Sequence, residues 1–301
     1  MKTFFIVLTT LLIVNTNNAQ IVNIPDSNFK NYLLSNPLIN INLDGEIQMS
    51  EANNYTGTIF AENKNISDLT GIEAFTNLNN LQCWGNQLTT LNLSNNTNLV
   101  ELVCSGNQLT SLDISNNTLL QTVDARLNQI SGTINLSNNS VLGSLNLRSN
   151  QLTALNTSNN TSLWLLNIQQ NLITNLDLSY NINLQHLTTK NNPITSLDLT
   201  SNSSINIVNL IDNNLSSLNI ANGNNSNIAF GPQTTGNPNL SCIQVDDTAY
   251  SNTNWTNIDA WSSFSTNCFV GINETNNSVI ADIYPNPAIN FLTIEVQKNN
   301  L

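Results

Sequence analysis

The chain has 301 residues, only 9% of them charged, and 7 Lys and Arg against 19 Asp and Glu give a net charge of -12 and a pI near 4.1. That balance excludes a nucleic-acid binder, whose affinity rests on a basic footprint. The length is sufficient for a continuous buried core, and no stretch has the length and apolarity of a membrane-spanning helix.

Residues 1–19 read as a secretory signal. Lys2 is the positive start, Phe4 to Val14 is the apolar run, and Ala19 offers a small residue for cleavage before Gln20. Residues 20–57 form an N-terminal cap: Ile24-Pro25-Asp26 reads as a turn, and Asn28 to Leu34 as a short amphipathic helix. The next stretch, Asn40 to Glu51, fits the EF-hand template D-x-[DN]-x-[DN]-G-x5-E at every fixed position except the first, where Asn40 replaces Asp. Asn40, Asn42, Asp44, Glu46, Gln48 and Glu51 are therefore candidate calcium ligands, with Glu51 as the bidentate carboxylate; an empty, EF-like cap turn is the alternative.

Residues 58–236 are a repeat. Its first coil is imperfect, with Lys64 where an asparagine is expected. From there Asn86, Asn107, Asn128, Asn150, Asn171, Asn192 and Asn213 recur at spacings of 21, 21, 22, 21, 21 and 21 residues, each opening a variant of Asn-x-Leu-Thr. A second ladder runs through Asn96, Asn117, Asn139, Asn160, Asn181 and Asn202. The period and the Leu-x-x-Leu-x-Leu-x-x-Asn phrase are the signature of a leucine-rich-repeat solenoid. Each coil holds two nested units, so two parallel strands are expected: strand A, as at Leu102 and Cys104, and strand B, as at Leu91 and Leu93. Two strands and two turns leave little room for a convex helix. The asparagines have a structural task, since buried amides must find hydrogen bonds and tight turns leave backbone groups open.

Aligning the coils on one another separates scaffold from variable surface. The outward strand B position is monotonous: Asn92, Asp113, Asn135, Asn156, Asp177, Asp198, Asn219. It reads as a solvated face. The outward strand A pairs vary, from Gln82/Trp84 and Val103/Ser105 through Asp124/Arg126 and Asn146/Arg148 to Asn167/Gln169, Thr188/Lys190 and Asn209/Ile211. A recognition surface varies in this way, and so does an unconstrained one. Arg126, Arg148 and Lys190 are the only cations between Leu78 and Ile220, and all share one slot. They form a candidate column for an anionic group, with Asp124 as an internal counter-charge and Gln169 between. Trp84 and Trp164 are candidate stacking platforms for a glycan.

Residues 237–269 form a C-terminal cap, in which Cys242 and Cys268 flank Trp255, Trp261 and Phe264. In an exported chain that pair reads as a disulfide closing the cap. Cys83 and Cys104 share an inward slot on adjacent coils and read as core residues, although rung spacing also brings them near bridging distance. Residues 270–280 read as a polar linker. Residues 281–301 hold a turn, Tyr284-Pro285-Asn286-Pro287, and one alternating strand from Phe291. His186 is the only histidine, no His/Glu pair has metal spacing, and no Gly-rich loop opens a helix, so the chain reads as a non-enzyme. A glycoside-hydrolysing carboxylate pair, drawn from distant positions, stays open.

The Ile283-Tyr-Pro-Asn-Pro-Ala segment with Phe291-Leu-Thr-Ile resembles the opening of the C-terminal sorting domain of bacterial type IX secretion cargo, here cut short at Leu301. Asn237-Pro-Asn-Leu-Ser-Cys242, the Trp255 stretch, Ile24-Pro-Asp and Asp44-Gly-Glu-Ile are similar to the caps of secreted leucine-rich-repeat proteins that carry that domain. The resemblance implies an extracellular or cell-surface binding or adhesion protein with a protein or glycan partner and outer-surface attachment. A structural surface-coat or matrix protein and a polysaccharide-binding module are the rival readings.

Overall fold

The computed structural model describes residues 20–268 and, as backbone, the strands Ala281–Tyr284 and Thr293–Val296. The signal segment 1–19 and the linker 270–280 lie outside the described residues.

Leu81, Leu102, Val123, Leu145, Leu166, Leu187 and Val208 stand at the centre of three-residue strands and are buried, while the residues on either side are half-buried or exposed. The result is an eight-stranded parallel sheet, sheet A, whose strands follow chain order: Thr58–Phe60, Asn80–Gln82, Glu101–Val103, Thr122–Asp124, Ser144–Asn146, Leu165–Asn167, His186–Thr188 and Ile207–Asn209. The register is a straight stack, Leu81 on Leu102 on Val123 on Leu145. After each strand the chain turns inward through one left-handed residue. It is Gly85 and Gly106 at φ 68° and 62°, then Leu127, Ser149, Gln170, Asn191 and Asp212 at φ between 53° and 58°.

The asparagines close these turns. Asn107 donates to the carbonyls of Cys83 and Cys104 and accepts the N–H of Leu88, at 3.0 Å each. The ladder runs one coil beyond the stretch read from the sequence. Asn237 donates to Leu210 and Thr234 and accepts from Leu215. The second ladder is thinner. Asn117 donates to the carbonyls of Leu93 and Asn96, but its Oδ1 has no partner among the described residues, as is also so for Asn96, Asn139, Asn160 and Asn202. At Asn181 the hydroxyl of Thr157 fills that place.

Strand B behaves differently from expectation. It forms a sheet only at the C-terminal end, from Ser196–Asp198, Ser217–Asn219, Cys242–Gln244 and Ser263–Ser265. In earlier coils the same segment is half-buried, and the only pairing on that side among the described residues is the two-residue match of Ser131–Gly132 with Gln151–Leu152. Clefts open between those coils instead, one of them lined by Leu155, Asn156, Asn175, Leu176 and Ser196.

The N-terminal lid is built on helix α1, Ser27–Ser35, and helix α2, Met49–Asn54. Phe29, Leu33, Ile39 and Ile47 are buried over the first coil. Asp26 caps α1 through Asn28 and Phe29 and reaches the N–H and hydroxyl of Ser67 with its other oxygen. Its burial raises the carboxyl's pKa, but the hydrogen bonds from Ser67 and Phe29 outweigh that and hold it below the usual value. At the other end Asp247 caps helix α3, Thr248–Asn254, which the sequence reading did not anticipate. Trp255 is buried there, edge-to-face against Tyr250 and Phe264. Cys242 and Cys268 are disulfide-bonded, and Cys83 and Cys104 are free and buried. Burial pushes the Cys83 thiol up to about 12, as expected of a core thiol.

Asn267–Leu301 is a separate compact unit. Where one strand was expected there are two, Ala281–Tyr284 antiparallel to Thr293–Val296 with Ile283 opposite Ile294. The Ala-Asp-Ile-Tyr run alternates as Thr-Ile-Glu-Val does, and antiparallel pairing gives each segment a hydrogen-bond partner.

Candidate binding face

Sheet A presents three outward columns. The third, just past the strand ends, is Trp84, Ser105, Arg126, Arg148, Gln169, Lys190 and Ile211. Its register is fixed by backbone hydrogen bonds from the left-handed residue of each coil to the column residue of the next, as from Gly106 to Arg126, Leu127 to Arg148 and Gln170 to Lys190, at 2.9, 2.8 and 2.8 Å. The structure thus brings Arg126, Arg148, Gln169 and Lys190 together on four consecutive rungs. Two of the cations have their own counter-charge. Arg126 Nε lies 3.5 Å from Asp124 Oδ2, and Lys190 Nζ lies 4.0 Å from Asp212 Oδ2. Arg148 has no ion-pair partner among the described residues. Arg148 is thus the cation of the column without a counter-charge in reach among the described residues.

The second column is partly scaffold. Asp124 Oδ1 accepts the N–H of Arg126, Asn146 that of Arg148, and Asn167 that of Gln169, at 3.2, 3.2 and 3.1 Å. These turns fix the column that follows. The same device explains the monotony of strand B. Asn92, Asp113, Asn135, Asn156, Asp177 and Asp198 each accept the N–H two residues on. That position is a turn former rather than only a solvated face.

The first column was not singled out in the sequence. Asn80, Glu101, Thr122, Ser144, Leu165, His186 and Ile207 stand in register on successive rungs. Its signal was legible as the residue preceding each inward apolar centre, where polar types give way to Leu, His and Ile. Trp164 precedes Leu165 and is edge-to-face with His186, ring centroids 6.0 Å apart. Trp84 lies four rungs away at the opposite strand end, about 19 Å at about 4.8 Å per rung. The two indoles do not form one platform.

The N-terminal loop tests the calcium ligand set. Glu51 is buried, and its carboxylate accepts three backbone N–H groups, those of Ile41 at 2.8 Å, Asn42 at 3.2 Å and Gln48 at 3.0 Å. Asp44 Oδ2 accepts the side-chain amides of Asn42 and Gln48, and Glu46 pairs with Lys30 at 2.7 Å. Asn40 turns its amide to the carbonyls of Leu34 and Asp44, and only its buried Oδ1 has no partner among the described residues. A bidentate calcium ligand needs both carboxylate oxygens facing the ion. In this arrangement both oxygens of Glu51 face backbone donors.

Comparison with protein-family models and with curated proteins returns no match. Among solved structures, internalin C2 of Listeria monocytogenes superposes with a TM-score of 0.60 at 26% identity, over 73% of this chain and 93% of that one. A leucine-rich-repeat protein of Leptospira interrogans superposes with a TM-score of 0.50 at 20% identity, over 65% of this chain and 50% of that one. Among the described residues no helix is long and apolar enough to cross a membrane. With its parallel stacked coils and asparagine ladders, and with these bacterial likenesses, the chain has the leucine-rich-repeat solenoid fold.

Proposed function

We propose that the chain is a non-catalytic binding or adhesion protein, secreted or held at a bacterial cell surface, that recognises a protein or glycan through the outward face of sheet A. The observation that carries this reading is the division of labour along each coil. Inward positions fill the core, ladder asparagines close the turns, and the outward strand B residues form turns. Against that background the outward positions of sheet A vary in charge and size from rung to rung. Trp84, Asp124, Arg126, Arg148, Trp164, Gln169 and Lys190 belong to that face, with Arg148 offering the open charge to an anionic group of the partner. The likeness to internalin C2, the signal-like residues 1–19 and the sorting-domain resemblance of 281–301 support export, and the last supports outer-surface attachment. For the N-terminal loop we propose a self-closed cap in which Glu51 takes the place of a bound cation.

The test is a protein and glycan array probed with the purified chain and with an Arg148→Ser variant of unchanged circular dichroism. A discrete, saturable hit weakened about tenfold or more in the variant is expected. No saturable partner at high concentration would instead support a structural coat or matrix protein.

A further inference from the structure

The middle of sheet A offers mostly hydrogen-bond donors. The side chains of Asn146 and Asn167 accept, through Oδ1, the N–H of Arg148 and of Gln169. A backbone N–H can be met only by the amide oxygen, so the orientation of both side chains is fixed. Each Nδ2 is left without a partner among the described residues, and neither is buried. The Arg148 guanidinium stands on the rung of Asn146 and beside that of Asn167, exposed and without an ion pair among the described residues. Lys190 lies two rungs on, about 10 Å at about 4.8 Å per rung, with Gln169 on the rung between. The contact of Lys190 with Asp212, 4.0 Å between partly exposed groups, is a weak one. From Ser144 to Ile211 the three outward columns hold no Asp or Glu, whereas Glu101 and Asp124 stand on the two rungs before.

We infer that Asn146, Arg148, Asn167, Gln169 and Lys190 bind a linear acidic glycan in which a uronate carboxylate recurs on every second sugar. This rests on the reading of sheet A as a binding face and names the partner's chemistry. Donor balance favours a glycan over an acidic polypeptide. A polypeptide laid on these rungs brings its own N–H groups, and of the five side chains only Gln169 keeps an uncommitted acceptor oxygen. The carboxylate, ring and hydroxyl oxygens of a glycan all accept. Spacing sets the repeat. In a ribbon-like chain alternate sugars face the same way, and two sugars cover the two-rung distance from Arg148 to Lys190. The planar fork of Arg148, flanked by two amides, suits a carboxylate taken at both oxygens. Lys190 meets the next carboxylate, and Gln169 offers a donor and an acceptor to the hydroxyls of the neutral sugar between. Charge density selects against sulfation. A chain sulfated on every sugar brings charges that meet no cation, in a protein of net charge -12.

The probe is a hyaluronan octasaccharide, which alternates a glucuronate with a neutral sugar, labelled with fluorescein at its reducing end and titrated with the full chain by fluorescence anisotropy. Binding is expected, weakened about tenfold in Arg148→Ser and in Asn167→Asp. Asn167→Asp keeps the turn, as Asp124 does in the same slot, and exchanges the outward donor for an acceptor, so its loss of binding is not a loss of fold. Asn135→Asp adds the same charge on the strand B side, where Asp113 and Asp177 make the same turn, and should leave the affinity unchanged. Absence of octasaccharide binding overturns the proposal, as does binding that ignores Arg148→Ser and Asn167→Asp or falls equally in Asn135→Asp. Equal or tighter binding of a deca-glutamate peptide overturns the glycan assignment, and the same result with a chondroitin sulfate octasaccharide overturns the low charge density. An array hit weakened by Arg148→Ser beside a silent octasaccharide sinks the glycan alone and leaves the binding face standing. A silent octasaccharide and an array without a saturable hit sink both.

Discussion

Asn128 is typical of the side chains on which the coils depend. Its amide donates to the carbonyls of Cys104 and Ala125 at 3.1 and 3.0 Å, and its Oδ1 accepts the N–H of Leu109 at 3.0 Å. No other residue type offers two donors and an acceptor at that reach. Asn128→Ala removes three hydrogen bonds and leaves the buried Leu109 N–H open, while Asn107 and Asn150 still donate to the two carbonyls, and should cost about 3 kcal/mol. Asn128→Asp should cost more, since an oxygen then faces two carbonyls. Asn117→Ala removes two hydrogen bonds and should cost less. Urea midpoints would check the order, and equal losses at Asn117 and Asn128 would contradict it. The ladders were legible because the period repeats an amide. Their inequality was not, since it depends on which backbone N–H lies opposite Oδ1, and no residue type reports that.

Among the elements, the loop between α1 and α2 shows where a motif and its geometry part. The EF-hand spacing was correct as spacing, yet the loop satisfies its carboxylates internally. Glu51→Gln keeps the size but turns a donor toward the N–H groups of Ile41 and Asn42 or Gln48. It should destabilise the cap by about 2 kcal/mol, equally with and without millimolar calcium. Thermal unfolding decides it. A calcium-dependent rise in melting temperature that vanishes in Glu51→Gln would restore the ion site. Strand B makes a related point. Period-two alternation reports which side chains are buried in an extended segment, not which backbone will pair with it. Leu91-Asn92-Leu93 and Leu218-Asn219-Ile220 alternate alike, yet only the second lies where neighbouring coils are close enough to form a ladder.

For the molecule as a whole, stability is a sum of coil and interface terms, and loss begins at the ends. The Cys242–Cys268 bond encloses 25 residues and closes the last two B strands. Reduction, or Cys242→Ser, should cost about 3 kcal/mol. Hydrogen exchange should quicken around Ser217–Asn219 and Ile243 and stay unchanged at Leu81 and Leu102. Uniform quickening would mean that the coils unfold as one unit. The binding face was legible in its third column, because variation against a fixed background stands out when coils are aligned. The first column's change from polar residues to Leu165, His186 and Ile207 was less legible, because it shows only when the residue before each inward centre is compared across coils. The counter-charge at Asp212 was hidden for a similar reason, since it sits one coil beyond Lys190.

Sheet A is tied rung to rung by backbone hydrogen bonds along its whole run, whereas strand B pairs as a sheet only at the C-terminal end and clefts open on that side between the coils before it. Such a rod has unequal springs on its two sides. Under a load it flexes by widening or narrowing the clefted side, and the paired side changes length little. A partner seated on sheet A therefore rests on the neutral surface of the bend, where tension along the rod alters the spacing of its contacts least.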